Sequence, residues 1–213
     1  MSDLPPALRT LLDYHRPLST FAHSWPGGES LLSPGVNVLG ANAAYLPPDA
    51  DQATLTAARD WALEHELPPL RVLLGDGGDA GHLRVGRFIG DGHSSAVQVE
   101  QTSRLHLPRW AGVLAEASGQ SEWASALARH LAARLEALPN AALLIAYAGA
   151  EAVGALLWQP TGAHLWGTLD EAVDAPLLSA AAELSGGELS VSLPDTSPLE
   201  VLDAQSVSFA HIV

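Results

Sequence analysis

Apolar positions along the chain keep two rhythms, one helical and one extended. Leu8, Leu11 and Leu12 keep helical spacing inside a stretch, 1–35, otherwise rich in Pro, Gly and Ser. Residues 35–46 read as a strand with a bulge at Gly40, stopped by Pro47 and Pro48. Asp49 or Asp51 is placed to cap a helix over about 51–66 whose apolar side carries Leu55, Ala58, Trp61 and Ala62. Pro68 and Pro69 close it, and 70–74 follows as a short strand. A Gly/Asp loop, 75–81, leads to strands at 82–90 and 94–102, read as a hairpin about Gly90, Asp91 and Gly92.

The second half has clearer periodicity. Ser121 is placed to cap a helix with Trp123, Leu127, Leu131, Leu135 and Leu138 on one stripe, which makes Trp123 a core residue. After Pro139, the apolar run 143–148, the turn 149–151 and Val153 to Trp158 read as a buried hairpin. A third strand covers 163–169. Asp174 is then expected to cap a helix with Pro176 in its first turn and Leu177, Leu178, Ala181, Ala182 and Leu184 on it. Gly186 and Gly187 end that helix, and strands at 189–193 and 206–213 finish the chain. A helix between strands 163–169 and 189–193 is a crossover, so the fold class is α/β: a mixed, mostly antiparallel sheet flanked by helices.

Composition narrows the chemistry. The 213 residues carry 10 basic and 24 acidic side chains, a formal charge of −14. Such a surface repels nucleic-acid backbones and anionic lipid, so neither is an expected partner. All the basic residues are Arg, which excludes Schiff-base and P-loop lysine chemistry, and the absence of Cys excludes thiol nucleophiles and thiolate metal sites. The amino end lacks a basic segment followed by an apolar core, and no apolar run approaches the roughly 20 residues that span a bilayer. A cytoplasmic location is expected.

The run Leu143 to Trp158, with Val153-Gly154 opening its second strand, resembles the central hairpin of the GNAT superfamily of N-acyltransferases. The resemblance implies a GNAT-like, acyl-CoA N-acyltransferase fold over 104–213, with 104–138 supplying the preceding helices. A fainter echo over 36–102 implies two related halves, a worn one at 1–103 and a better-preserved one at 104–213. In that family the pyrophosphate of acyl-CoA lies on backbone N–H groups at the start of the helix after the third strand. The family sequence there is Arg or Gln, two residues, Gly, one residue, then Gly or Ala. Here the same place reads Leu169-Asp170-Glu171-Ala172-Val173-Asp174-Ala175-Pro176-Leu177, without Arg or Gly and with three carboxylates. Those carboxylates favour the helix start by roughly 0.3–1 kcal/mol each and repel phosphate there. The corresponding helix of the first half begins at Pro47-Pro48-Asp49-Ala50-Asp51, again acidic and without glycine.

The resemblance also implies that the third strand splays from its neighbour and offers its backbone to the pantetheine arm; Trp166, Gly167, Thr168 and Leu169 occupy that place. Gly167 suits either a close backbone approach or an ordinary strand irregularity. Tyr147 is the nearest phenol for a general acid but falls in a strand expected to be buried, so catalytic residues stay unassigned. Gly75 to Ala80 matches the dinucleotide spacing G-x-G-x-x-A but precedes a strand, which makes it a turn. Nine His show no ligand spacing, so no metal is expected; His164 and His211, on strands, read as sheet residues. The Trp residues read as core or half-buried packing.

Three functions follow, the last of them a purely structural or oligomeric protein whose apolar strands pair between subunits. The first is a GNAT-like protein without acyl transfer, a binding or interaction module needing no cofactor, with a homodimer mate or another protein as partner. The alternative is an acetyl-CoA-dependent N-acetyltransferase whose acidic surface draws in a cationic small-molecule amine.

Overall fold

The structure is a computed structural model that describes residues 3–90 and 97–213. In chain order its elements are α1 (Pro6–His15), β1 (Phe21–Trp25), β2 (Gly28–Leu32), β3 (Ala44–Tyr45), α2 (Gln52–Glu64), β4 (Leu70–Leu74) and β5 (Gly81–Ile89). Then come β6 (Gln98–Thr102), α3 (Leu107–Ala117), α4 (Ala124–Leu135), β7 (Ala142–Ala148), β8 (Glu151–Gln159), β9 (Gly162–Thr168), α5 (Asp174–Leu184), β10 (Glu188–Pro194) and β11 (Leu202–His211). The chain forms two compact units, one of 1–86, 192–197 and 203–213, the other of 87–191 and 198–202. The division falls at Gly86/Arg87 instead of 103/104, because β6 pairs with β7 (Gln98 opposite Tyr147, Thr102 opposite Leu143). The hairpin expected over 82–102 is therefore not formed, and most of its turn, residues 91–96, lies outside the described residues.

In the first unit the sheet runs β1-β2-β3-β4-β11. Its pairings are antiparallel except β3 with β4, where Ala44 lies opposite Arg71. That parallel pair is joined by α2, and of the two caps the sequence offered, Asp49 and Asp51, it is Asp51 whose carboxylate accepts from the Thr54 N–H at 2.7 Å. Helix α1 sets Leu8 and Leu11 against Leu31, Tyr45, Val72 and Phe209, and α2 sets Ala58 against Ala44, Leu46 and Ile212.

Two sequence expectations fail in this unit. Residues 21–32 form the β1–β2 hairpin, turning through Pro26 and Gly27 (φ 77°), where only a Pro/Gly/Ser-rich stretch was read. The strand expected over 35–46 shrinks to Ala44–Tyr45. The Asn42 side chain accepts from Ser33 N–H and donates to the Val36 and Val38 carbonyls, local bonds that compete with a ladder. Gly40 then lies in a 3-10 turn against the His15 ring, where a Cβ would meet Nε2 at 2.3 Å.

The second unit has the sheet order β10-β9-β8-β7-β6. The β7–β8 hairpin and β9 are antiparallel neighbours, as expected, and β10 joins β9 in parallel with Val191 opposite Ala163. Helix α3 buries Trp110 completely, and its indole N–H donates to the Leu156 carbonyl at 3.1 Å. Leu127, Leu131 and Leu135 of α4 are buried as their stripe requires. Trp123 is not core: the helix starts one residue later, leaving it half-buried in a 3-10 turn, and Ser121 forms no cap. Of the remaining Trp, 25, 61, 158 and 166 are half-buried.

Candidate functional site

The site begins where β9 leaves the sheet. Successive strand residues face opposite sides, and here the two sides carry different helices. Gly167 lies opposite Ala155 on the side of α3; a Cβ at Gly167 would meet Ala117 Cβ at 3.1 Å and Leu114 Cδ1 at 3.2 Å. Thr168 lies opposite Gly154 on the side of α5. A Cβ at Gly154 would meet Ala146 Cβ and Val173 Cγ1 at 3.1 Å and Leu177 Cδ2 at 3.2 Å. Both glycines are thus close-approach positions, one for each flanking helix. Gly167 holds regular register with Ala155, so it is neither a bulge nor a strand irregularity.

The four residues singled out on β9 therefore do not share one surface. Trp166 and Thr168 face the α5 side, Gly167 supports α3, and Leu169 is exposed, its N–H donating to the Val153 carbonyl at 2.8 Å. What the structure does bring together is Thr168 and Asp174, a pair with no signature in the local spacing. The Thr168 hydroxyl donates to Asp174 Oδ1 across the connection into α5. Asp174 is buried, and burial first, then the neighbouring charges of Glu171 and Asp170, hold its carboxyl above the ordinary value despite the Thr168 bond, which acts the other way.

Capping at α5 differs from the expectation. Asp174 is the first residue of the helix, and its N-cap, Val173, has no capping side chain. The cap lies four residues earlier: Asp170 opens the 3-10 turn Glu171–Val173, its carboxylate accepting from the Ala172 N–H at 2.9 Å and its carbonyl from Val173 N–H at 2.9 Å. Pro176 has no N–H at all. At the point where an anion would meet a positive helix end, the chain supplies its own carboxylates. This donor set does not fit a pyrophosphate.

Other candidates resolve into packing. Tyr147 is half-buried beneath the Arg109 guanidinium, 5.0 Å from its ring centre, and Arg109 also donates to the Ala150 carbonyl at 3.2 Å. His164 is buried with Nε2 3.5 Å from Ser190 Oγ, while His211 is exposed and bonded to Asp79. Among the described residues no cluster of three or more His, Asp or Glu could hold a metal. The stretch 75–80 is a turn, as read: Gly78 sits under the Phe209 carbonyl, and Asp79 accepts from the His211 N–H at 3.0 Å.

A parallel β9–β10 pair with a crossover helix, preceded by an antiparallel hairpin and two helices, has close counterparts among solved structures. A GCN5-related N-acetyltransferase from Kribbella flavida aligns over 96% of this chain and 95% of its own, at 14% identity and a TM-score of 0.55. The fold is GNAT-like. A conserved protein of unknown function from Staphylococcus epidermidis aligns over 92% of this chain and 94% of its own, at 9% identity and a TM-score of 0.59. No protein-family model matches the chain, and no curated protein matches it in sequence. At such identities the GNAT likeness concerns the fold and not the chemistry. No helix among the described residues is long and apolar enough to cross a membrane.

Proposed function

We propose that this GNAT-like protein does not transfer acyl groups and serves as a binding or interaction module. The observation that carries the reading is the start of α5, where Asp170, Glu171 and Asp174 crowd the helix end and Asp170 occupies the Ala172 N–H. An acyl-CoA brings a pyrophosphate and a further phosphate, and each meets like charge there in place of backbone donors. The corresponding start of α2 supports the same reading, because Asp51 fills the Thr54 N–H.

The second reading is an N-acetyltransferase acting on a cationic amine. It is favoured by the net charge of −14, which concentrates polyamines at the surface. An assay for CoA released from acetyl-CoA in the presence of spermidine separates the two. A thiol-reactive dye has no protein background, since the chain has no Cys. The expected result is release at the uncatalysed rate. Turnover that depends on both substrates would establish the acetyltransferase.

A further inference from the structure

Strand β1 is a sheet edge without a guard. Among the described residues its one ladder neighbour is β2, and Phe21, Ala22, His23 and Ser24 are all exposed along it. Edge strands are ordinarily kept from pairing with another chain by a charge, a proline or a bulge. From Phe21 to Trp25 there is none of these: the register with β2 is unbroken, and residues 17–28 include no Asp, Glu, Lys or Arg. The edge strand of the second unit, β6, differs. It carries Glu100, exposed, at its centre, so pairing with its own copy would bring like charges together.

The β1–β2 register shows which backbone groups of β1 are open. The Leu31 N–H donates to the Ala43 carbonyl at 3.0 Å, so Leu31 turns its hydrogen-bonding groups away from β1. Its partner Ala22, and by alternation Ser24 opposite Glu29, therefore hold their N–H and C=O toward the open side. The side chains of Phe21, His23 and Trp25 share the face that α2 covers. There Phe21 lies 4.9 Å from the His65 ring, while His23 lies 5.5 Å from Trp61 and 4.0 Å from Trp25. A row of aromatic rings thus runs along the edge beside a line of unused backbone donors and acceptors.

We propose that β1 pairs with β1 of a second copy of this chain, antiparallel about a two-fold axis at His23. In that register Ala22 lies opposite Ser24 of the second copy, and each donates its N–H to the other's carbonyl. Phe21 lies opposite Trp25 of the second copy, an aromatic cross-strand pair of the kind that stabilises sheets. His23 meets its own counterpart as the non-hydrogen-bonded pair between them. Other centres use the edge less well. An axis at Ser24 sets Ala22 against Pro26, which has no N–H, and an axis at Ala22 sets Trp25 against Ser19, outside the strand. Copies that each carry −14 repel, and a segment free of acidic residues is where they approach at least cost. The proposal names the partner of the interaction module and in that respect rests on the preceding reading.

Sedimentation equilibrium of the full chain at about 0.15 M ionic strength, where surface charge is screened beyond about 8 Å, tests it. The mass should rise from monomer to dimer with a Kd in the micromolar range, as suits a small interface. Ser24→Pro removes an outward N–H and leaves the β1–β2 ladder intact, so it should weaken the dimer at least about tenfold. The register has its own readout, because the chain has no Cys. His23→Cys sets two thiols on a non-hydrogen-bonded pair with Cα atoms about 4.5 Å apart, within the range of a disulfide. Oxidised glutathione should link His23→Cys into a covalent dimer and leave Ala22→Cys, whose counterpart lies diagonally across the strands, largely unlinked. Thermal melts establish that each variant is folded. A wild type still monomeric at about 0.5 mM, far above a micromolar Kd, would overturn the proposal. So would a Ser24→Pro dimer as tight as the wild type's, or equal linking of the two cysteine variants. Acetyl-CoA turnover would contradict the proposed function and leave the β1 interface to these measurements, whereas a monomeric wild type would remove the interface and leave the start of α5 as described.

Discussion

At the residue scale, two buried ionisable side chains couple the protein's stability to pH with opposite signs. His15 is buried beneath Gly40 with Nδ1 unbonded, and burial lowers its pKa from 6.5 to about 3. Between those values the unfolded chain binds a proton that the folded chain refuses. The contribution is complete above pH 6.5 and is lost as pH falls toward 3, on the order of 5 kcal/mol over the whole interval. Urea unfolding at pH 7 and pH 5 should show His15→Phe, which keeps a flat ring over Gly40, losing less stability than the wild type by about 2 kcal/mol. Parallel losses would contradict this. Asp174 runs the other way. Its raised carboxyl pKa makes its contribution complete below 3.8 and lost as pH rises through the folded value. Asp174→Asn still offers an oxygen to the Thr168 hydroxyl and carries no charge, so its melting temperature should exceed the wild type's at pH 7 and not at pH 3.5. A lower melting temperature at pH 7 would show that the charge stabilises.

At the element scale, the legible parts of the chain were those with long periodic runs or a cap candidate beside a proline stop. The stripe Leu127, Leu131, Leu135, the β7–β8 hairpin and the Asp51 cap of α2 all follow from local spacing. What escaped was decided by contacts distant in sequence or by competing local bonds. The β1–β2 hairpin has little alternation, with exposed residues along β1, so only its pairing with β2 reveals it. Strand 35–46 looked extended until Asn42 and the His15 ring are both in place. Gly154 and Gly167 were visible as glycines, but which helix each one admits depends on β8–β9 register. Gly154→Ala and Gly167→Ala should each destabilise by about 1–3 kcal/mol, because neighbours at 3.1 Å must move. Gly112, within α3 and with nothing within 4 Å of an added Cβ, gives the contrast. Gly112→Ala should stabilise by about 1 kcal/mol through helix propensity. Equilibrium unfolding of the three variants checks the order, and a stabilised Gly154→Ala would refute the close approach at α5.

At the scale of the whole molecule, a GNAT-like fold is combined with a charge of −14 and a start of α5 that carries Asp170, Glu171 and Asp174. The acidity at the start of α5 was legible in the sequence. The Thr168–Asp174 bond was not, since it depends on the 3-10 turn Glu171–Val173 that links the end of β9 to α5. The central claim is that the fold persists without its anion cradle, and binding of acetyl-CoA tests it most directly. Calorimetric titration of the full chain, at low salt and again at about 0.15 M, with CoA as the comparison, keeps screening from deciding the outcome. The expected result is no saturable heat up to about 1 mM, a binding free energy weaker than about −4 kcal/mol. Micromolar binding at either salt would contradict it.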